Sequence, residues 1–145
     1  MKTLIKKILK EETNRKNIQK GIDVMVQFAK TEFPFILYAK LRDEDPNSFK
    51  TEINVYCDVE KLKEFYNSEL KPYYEDKYME SDEGFAYPTS VLKMSDEMNT
   101  DEKYKLFEEI NHSLNFHYES LPDEYVDYDL WDNPKPIYAE KFFFV

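Results

Sequence analysis

Apolar positions repeat with two different periods along this chain, and the switches between them outline the elements. Leu4, Ile5, Ile8 and Leu9 recur at three- to four-residue spacing beside Lys6, Lys7 and Lys10, which predicts a short helix over Lys2–Glu12. Thr13-Asn14 reads as a break or a cap, and a second helix follows over Arg15–Glu32. Its inner face is Ile18, Ile22, Met25, Val26, Ala29 and Phe33, and Pro34 stops it. Gly21 inside that helix costs about 1 kcal/mol relative to Ala. The period then changes to two. Phe35–Arg42 alternates, with Phe35, Leu37, Ala39 and Leu41 on one face and Ile36, Tyr38, Lys40 and Arg42 on the other. After a turn-rich stretch over Asp43–Ser48, Phe49–Asp58 alternates again. Phe49, Thr51, Ile53, Val55 and Cys57 point inward there, and Lys50, Glu52, Asn54, Tyr56 and Asp58 outward. Two alternating runs around one loop predict an antiparallel hairpin with one covered face.

Asp58 has the position and chemistry of a helix N-cap, opening a helix over Val59–Leu70 with Leu62, Phe65, Tyr66 and Leu70 on one side and Pro72 closing it. Residues 73–99 give no clear period, beyond a short strand within Phe85–Met94. Asn99 and Glu102 have capping-box spacing, and a helix runs from there to Tyr118 with Phe107, Ile110, Leu114 and Tyr118 inward. Asn133–Pro136 reads as extended and Ile137–Val145 as a final strand. The expected fold is therefore α+β: one domain with an antiparallel sheet built on the Phe35–Asp58 hairpin and helices packed on one face. The C-terminal strand joins that sheet or extends an edge.

Composition removes several function classes. The chain holds two glycines in 145 residues, Gly21 and Gly84, far apart. Phosphate-cradling loops need clustered glycine for close backbone approach and positive φ, so dinucleotide-binding and P-loop chemistry drop out. Cys57 is the single cysteine, which allows neither an internal disulfide nor a thiolate metal cluster. No apolar run nears the ~20 residues of a membrane span, and Met1–Lys10 is too broken for a signal-peptide core. The net charge of −10 is uneven: residues 1–20 hold seven Lys/Arg against two Glu, a local +5, so the other 125 carry −15. An acidic body repels phosphates, so it is not expected to bind nucleic acid directly. The chain is thus read as a basic amphipathic leading helix over 1–12 and an acidic α+β domain over 13–145.

The reactive residues form no catalytic set in the sequence. His112 and His117 are the only imidazoles, and five residues of helix put them about 140° apart, as surface or interface residues. No H-E-x-x-H is present. Cys57 reads as a small core residue. Glu119–Asp132 holds six acids and no Lys or Arg, interleaved with Tyr125, Tyr128 and Trp131. It lacks the EF-hand order, so a solvated loop is the plain reading of it. Acids spaced along an extended segment beside rings also imitate a phosphate backbone. The reading is therefore non-enzymatic, with no cofactor and no metal.

The opening Met1-Lys2-Thr3-Leu4-Ile5-Lys6-Lys7-Ile8-Leu9-Lys10-Glu11-Glu12 resembles the starts of many small uncharacterised proteins of tailed phages, of the marine and Bacteroidetes type. The Lys-, Asn- and Tyr-rich, Gly-poor style is similar too. The resemblance covers twelve residues and brings no catalytic residue with it. It implies a phage-type protein, in the virion or the host cytoplasm, with the leading helix as a portable docking tag. A helix of eleven residues is marginal alone in water, so it is expected to dock, on its own chain or on another. The leading expectation is a virion or assembly component that binds a protein partner or forms a homo-oligomer. The alternative is a small acidic inhibitor, either an anti-defence nucleic-acid mimic or an immunity-type protein. The expected partner-binding residues are Leu4, Ile5, Ile8 and Leu9 on the leading helix, and Tyr125, Tyr128, Trp131, Phe142 and Phe144 toward the C-terminus. Stable membrane insertion is not expected.

Overall fold

A computed structural model describes residues 2–42, 49–75, 98–129 and 131–145, with side chains described from Arg15 onward in the first helix. Helix α1 spans Lys2–Glu32 without interruption. Thr13-Asn14 therefore neither breaks nor caps, and the expected pair of helices is one. Asn and Thr are only mildly poor helix formers, and the buried stripe that follows outweighs that small preference. Ile18, Ile22, Met25, Val26 and Ala29 are buried as their spacing predicts. Gly21 has a packing reason to be glycine. A Cβ there would lie 2.7 Å from the Tyr125 Cβ and 2.9 Å from the Tyr125 carbonyl oxygen, so only glycine lets this loop lie against α1.

Strands β1 (Ile36–Leu41) and β2 (Thr51–Cys57) pair antiparallel, with Ile36 opposite Cys57 and Leu41 opposite Ile53. The expected hairpin is present. Its inner set differs at two points. The register shifts between Ile36 and Tyr38, which turns Ile36 into the core. Phe49 precedes β2 and is 78 % exposed, so it lies outside the alternating run. Asp58 caps α2 (Val59–Phe65) by accepting the Lys61 N–H at 3.1 Å. A π-helical stretch over Tyr66–Leu70 leads into α3 (Lys71–Glu75). Pro72 is thus carried inside the helical path rather than ending it. Lys71 N–H bonds back five residues to the Tyr66 carbonyl. That widened turn relieves the clash a proline ring makes with the carbonyl four residues before it. The short strand expected within Phe85–Met94 lies outside the described residues.

Helix α4 (Thr100–Glu119) opens with the expected capping box: Asn99 accepts from the Glu102 N–H and Glu102 accepts from the Asn99 N–H. A 3-10 turn over Asp123–Tyr125 follows, and β3 (Ile137–Phe144) completes a three-stranded sheet in the order β1-β2-β3. Here the fold departs from an antiparallel sheet. β3 runs parallel to β2, from Thr51 opposite Ile137 to Cys57 opposite Phe144. The long helical connection between β2 and β3 returns the chain to the start of β2, where the Thr51 N–H donates to the Pro136 carbonyl. The fold is α+β with a mixed sheet. Its covered face, Ile36, Ala39, Ile53, Val55, Cys57, Ile137, Ala139 and Phe142, joins the inner faces of α1, α2 and α4 in one core. Among the described residues no helix is long and apolar enough to cross a membrane.

Candidate interaction face

The other face of the sheet carries three rows, one residue per strand. Pairing sets Tyr38, Tyr56 and Phe143 side by side, then Lys40, Asn54 and Lys141, then Tyr138 opposite Glu52 beside Arg42. Tyr38 and Phe143 are 44 % and 39 % exposed, so the first row is a surface feature. Its rings stack across the strands: Tyr38 on Tyr56 at 4.5 Å and 16°, Tyr56 on Phe143 at 4.8 Å and 15°. Those spacings match the ≈ 4.7–4.9 Å between neighbouring strands, so the rings stand upright. Both faces of Tyr56 are covered by its neighbours, so that ring offers solvent its edge, while Tyr38 and Phe143 end the stack.

Cations border the rings. Lys40 Nζ lies 5.6 Å from the Tyr38 centroid and 5.8 Å from that of Tyr56, and Lys50 Nζ sits 4.0 Å over Tyr138. Glu52 lies between two of them, 3.9 Å from Arg42 and 3.8 Å from Lys50, while Arg42 also donates to Asn54 at 3.0 Å. Loss of hydration, then the charges of Glu140 and Glu52, raise the Tyr138 phenol above its ordinary value.

Side-chain amides hold both edges of the sheet. Gln19 of α1 accepts from the Leu41 N–H at 2.8 Å and donates to the Ala39 carbonyl at 3.1 Å. Asn115 of α4 does the same for Ile137, accepting at 2.7 Å and donating at 2.9 Å, and Asn111 accepts from the Ala139 N–H at 3.3 Å. These carboxamides satisfy outward backbone groups that would otherwise recruit another strand. Among the described residues, the broad side of the sheet rather than these sealed stretches of its rims is left available.

The residues expected to meet a partner are scattered. Leu4, Ile5, Ile8 and Leu9 lie in the first turns of α1, where side chains are not described. Tyr125 is half-buried against α1 at Gly21. Tyr128 is half-buried and donates to Asp123 at 2.8 Å. Trp131 is 79 % exposed on a turn held by Asp129, which accepts the N–H groups of Trp131 and Asn133. The Asn133 bond first, then the Trp131 bond, hold the Asp129 carboxyl below its ordinary value. Phe142 is a correction: it is buried in the core and cannot meet a partner in the folded chain. The register shift between Ile53 and Asn54 leaves Glu140 as an extra residue in β3, so Phe142 turns inward and Phe143 outward. Phe144 is half-buried against the core and stacks at 6.4 Å on Phe142. Sequence reasoning did not select the Tyr38–Tyr56–Phe143 row. The outward placement of Tyr38 and Tyr56 was its available signal.

A second cluster lies between the end of α1 and α4, in a cleft of ≈ 680 Å³ lined by Glu32, Glu108, Glu109, His112, Ser113 and neighbours. The Ser113 hydroxyl donates to Glu32, and His117 Nε2 is 3.7 Å from the same carboxylate. The carboxylate is in the middle of this series. A Ser–His–Asp triad places the imidazole against the hydroxyl; here the carboxylate lies between them, and the contacts tie α1 to α4. His117, expected as a surface or interface residue, is half-buried between the exposed rings of Phe28 and Phe116, at 5.6 and 5.3 Å. Burial pushes the Cys57 thiol far above its ordinary value, away from the thiolate that reactivity needs. Among the described residues no three His, Cys, Asp or Glu side chains meet as a metal-ligand group.

Set against models of protein families, against curated proteins and against solved structures, the chain matches none of them.

Proposed function

We propose that this chain is a non-enzymatic, phage-type binding protein, a virion or assembly component that works through protein–protein contact at the open face of its sheet. The supporting observation is the Tyr38–Tyr56–Phe143 row, exposed at Tyr38 and Phe143, with Lys40 beside its rings and Arg42 on the same face. Tyrosine and arginine are the residues that concentrate binding energy at protein interfaces. Rings on a rigid sheet also lose little freedom when they bind. The basic first turns of α1 are a second attachment point in this reading.

The alternative is a small acidic inhibitor, an anti-defence nucleic-acid mimic or an immunity-type protein. It draws on the stretch from the end of α4 onward, where Glu119, Asp123, Glu124 and Asp132 are exposed, as is Trp131. One experiment separates the two. The tagged full-length chain is recovered with its partners from the cells that make it, beside a Tyr38→Ser/Phe143→Ser variant and a form lacking residues 1–12. The main reading expects structural proteins of a particle, lost from the ring variant and from the shortened form while both stay folded. A basic nuclease or a toxin, retained by both and released by salt, would establish the alternative and refute the main reading.

A further inference from the structure

The open face has a charge opposite to that of the chain that carries it. Lys40, Arg42, Lys50 and Lys141 stand along its rows, against Glu52 and the bulge residue Glu140. Among the described residues that is an excess of two positive charges, on a protein of net charge −10. Asp58, at the far end of β2, is engaged with the α2 N-terminus through the Lys61 N–H. Among the described residues Lys40 and Lys141 occupy the row beside the stacked rings, while Arg42 and Lys50 lie at the other end of the face, around Glu52 and Tyr138.

We infer that this face docks an acidic peptide segment of a partner protein, a refinement that rests on the docking reading above. Ring geometry bears on the choice of anion. A nucleic-acid strand binds an open sheet by stacking bases on ring faces. In this row both faces of Tyr56 are already taken, at 4.5 and 4.8 Å. Ring edges are the positive part of the aromatic quadrupole, and they suit carboxylates and apolar side chains. A second copy docked face to face with its lysine row on this one would set Lys40 and Lys141 against their own like charges. An acidic segment instead meets complementary charge at the lysine row and ring edges beside it.

The test uses the full-length chain labelled for NMR, titrated with a glutamate–tyrosine copolymer, with oligothymidylate and with increasing amounts of itself, at low and high salt. Lys40→Glu/Lys141→Glu and Tyr56→Ser variants run in parallel, each first confirmed to be folded by its spectrum. The expected result is that the copolymer alone shifts the Tyr38, Tyr56 and Phe143 signals. High salt or the lysine reversal then weakens binding by roughly tenfold or more. A copolymer that leaves these signals unmoved overturns the inference. So does tighter binding of oligothymidylate, which would assign the face to single-stranded nucleic acid, or a shift with concentration alone, which would assign it to a second copy. Binding lost in Tyr56→Ser but indifferent to lysine reversal and salt removes the acidic chemistry and leaves the docking reading standing. Copolymer binding unchanged in both variants removes both at this face.

Discussion

The two faces of the sheet use apolar side chains in opposite ways. The covered face is mainly aliphatic and small, with Ala39 and Ala139 beside Ile53, Val55 and Ile137, and helices lie on it. The open face puts its apolar mass into Tyr38, Tyr56 and Phe143, standing upright among lysines. Burial on the first face stabilises the fold. Rings on the second stack on one another at the surface and, in the proposed reading, supply area to a partner. A ring-rich composition thus divides between core and surface, and strand register decides which ring serves which purpose.

That division predicts a graded set of responses. Ile53→Ala, at the centre of the covered face, should cost about 2–5 kcal/mol in urea unfolding, because the cavity cannot close among helices already in contact. A loss below about 1 kcal/mol would mean that the helices do not pack there as described. Gly21→Ala, on the covered side of the molecule, should cost about 1–2 kcal/mol net: overpacking against Tyr125 exceeds the ~1 kcal/mol that alanine contributes to a helix. A more stable variant would show that the loop yields. Asn115→Ala should cost about 1 kcal/mol, and with Gln19→Ala added it should promote concentration-dependent association seen by sedimentation, since both edges lose their cover. Lys40→Glu/Lys141→Glu should change stability by no more than about 0.5 kcal/mol, which separates the open face from the covered one most sharply.

Local chemistry was the legible part of the sequence. The stripe from Ile18 to Ala29, the Asp58 cap, the Asn99–Glu102 box and the pairing of Phe35–Arg42 with Phe49–Asp58 depend on neighbours a few residues apart or on one short loop. The orientation of β3 does not. A strand reads alike in either direction, and the clue to parallel pairing was the length of the connection from β2, which includes α2, α3 and α4. The register shifts at Ile36–Tyr38 and Ile53–Asn54 leave no residue signature, yet the second one exchanges Phe142 for Phe143. The ring row was hidden for a related reason. Tyr38, Tyr56 and Phe143 become neighbours only when all three strands are assembled, so the acidic run around Trp131, contiguous in sequence, drew the expectation instead.

The central claim is that the open face is covered in the working protein. Hydroxyl-radical footprinting with mass spectrometry, on the chain in its native assembly and on the chain alone, measures that cover ring by ring. Tyr38 and Phe143 should be strongly protected in the assembly, while Phe49, exposed just before β2, keeps its reactivity. Equal oxidation of Tyr38 and Phe143 in both samples would contradict the account.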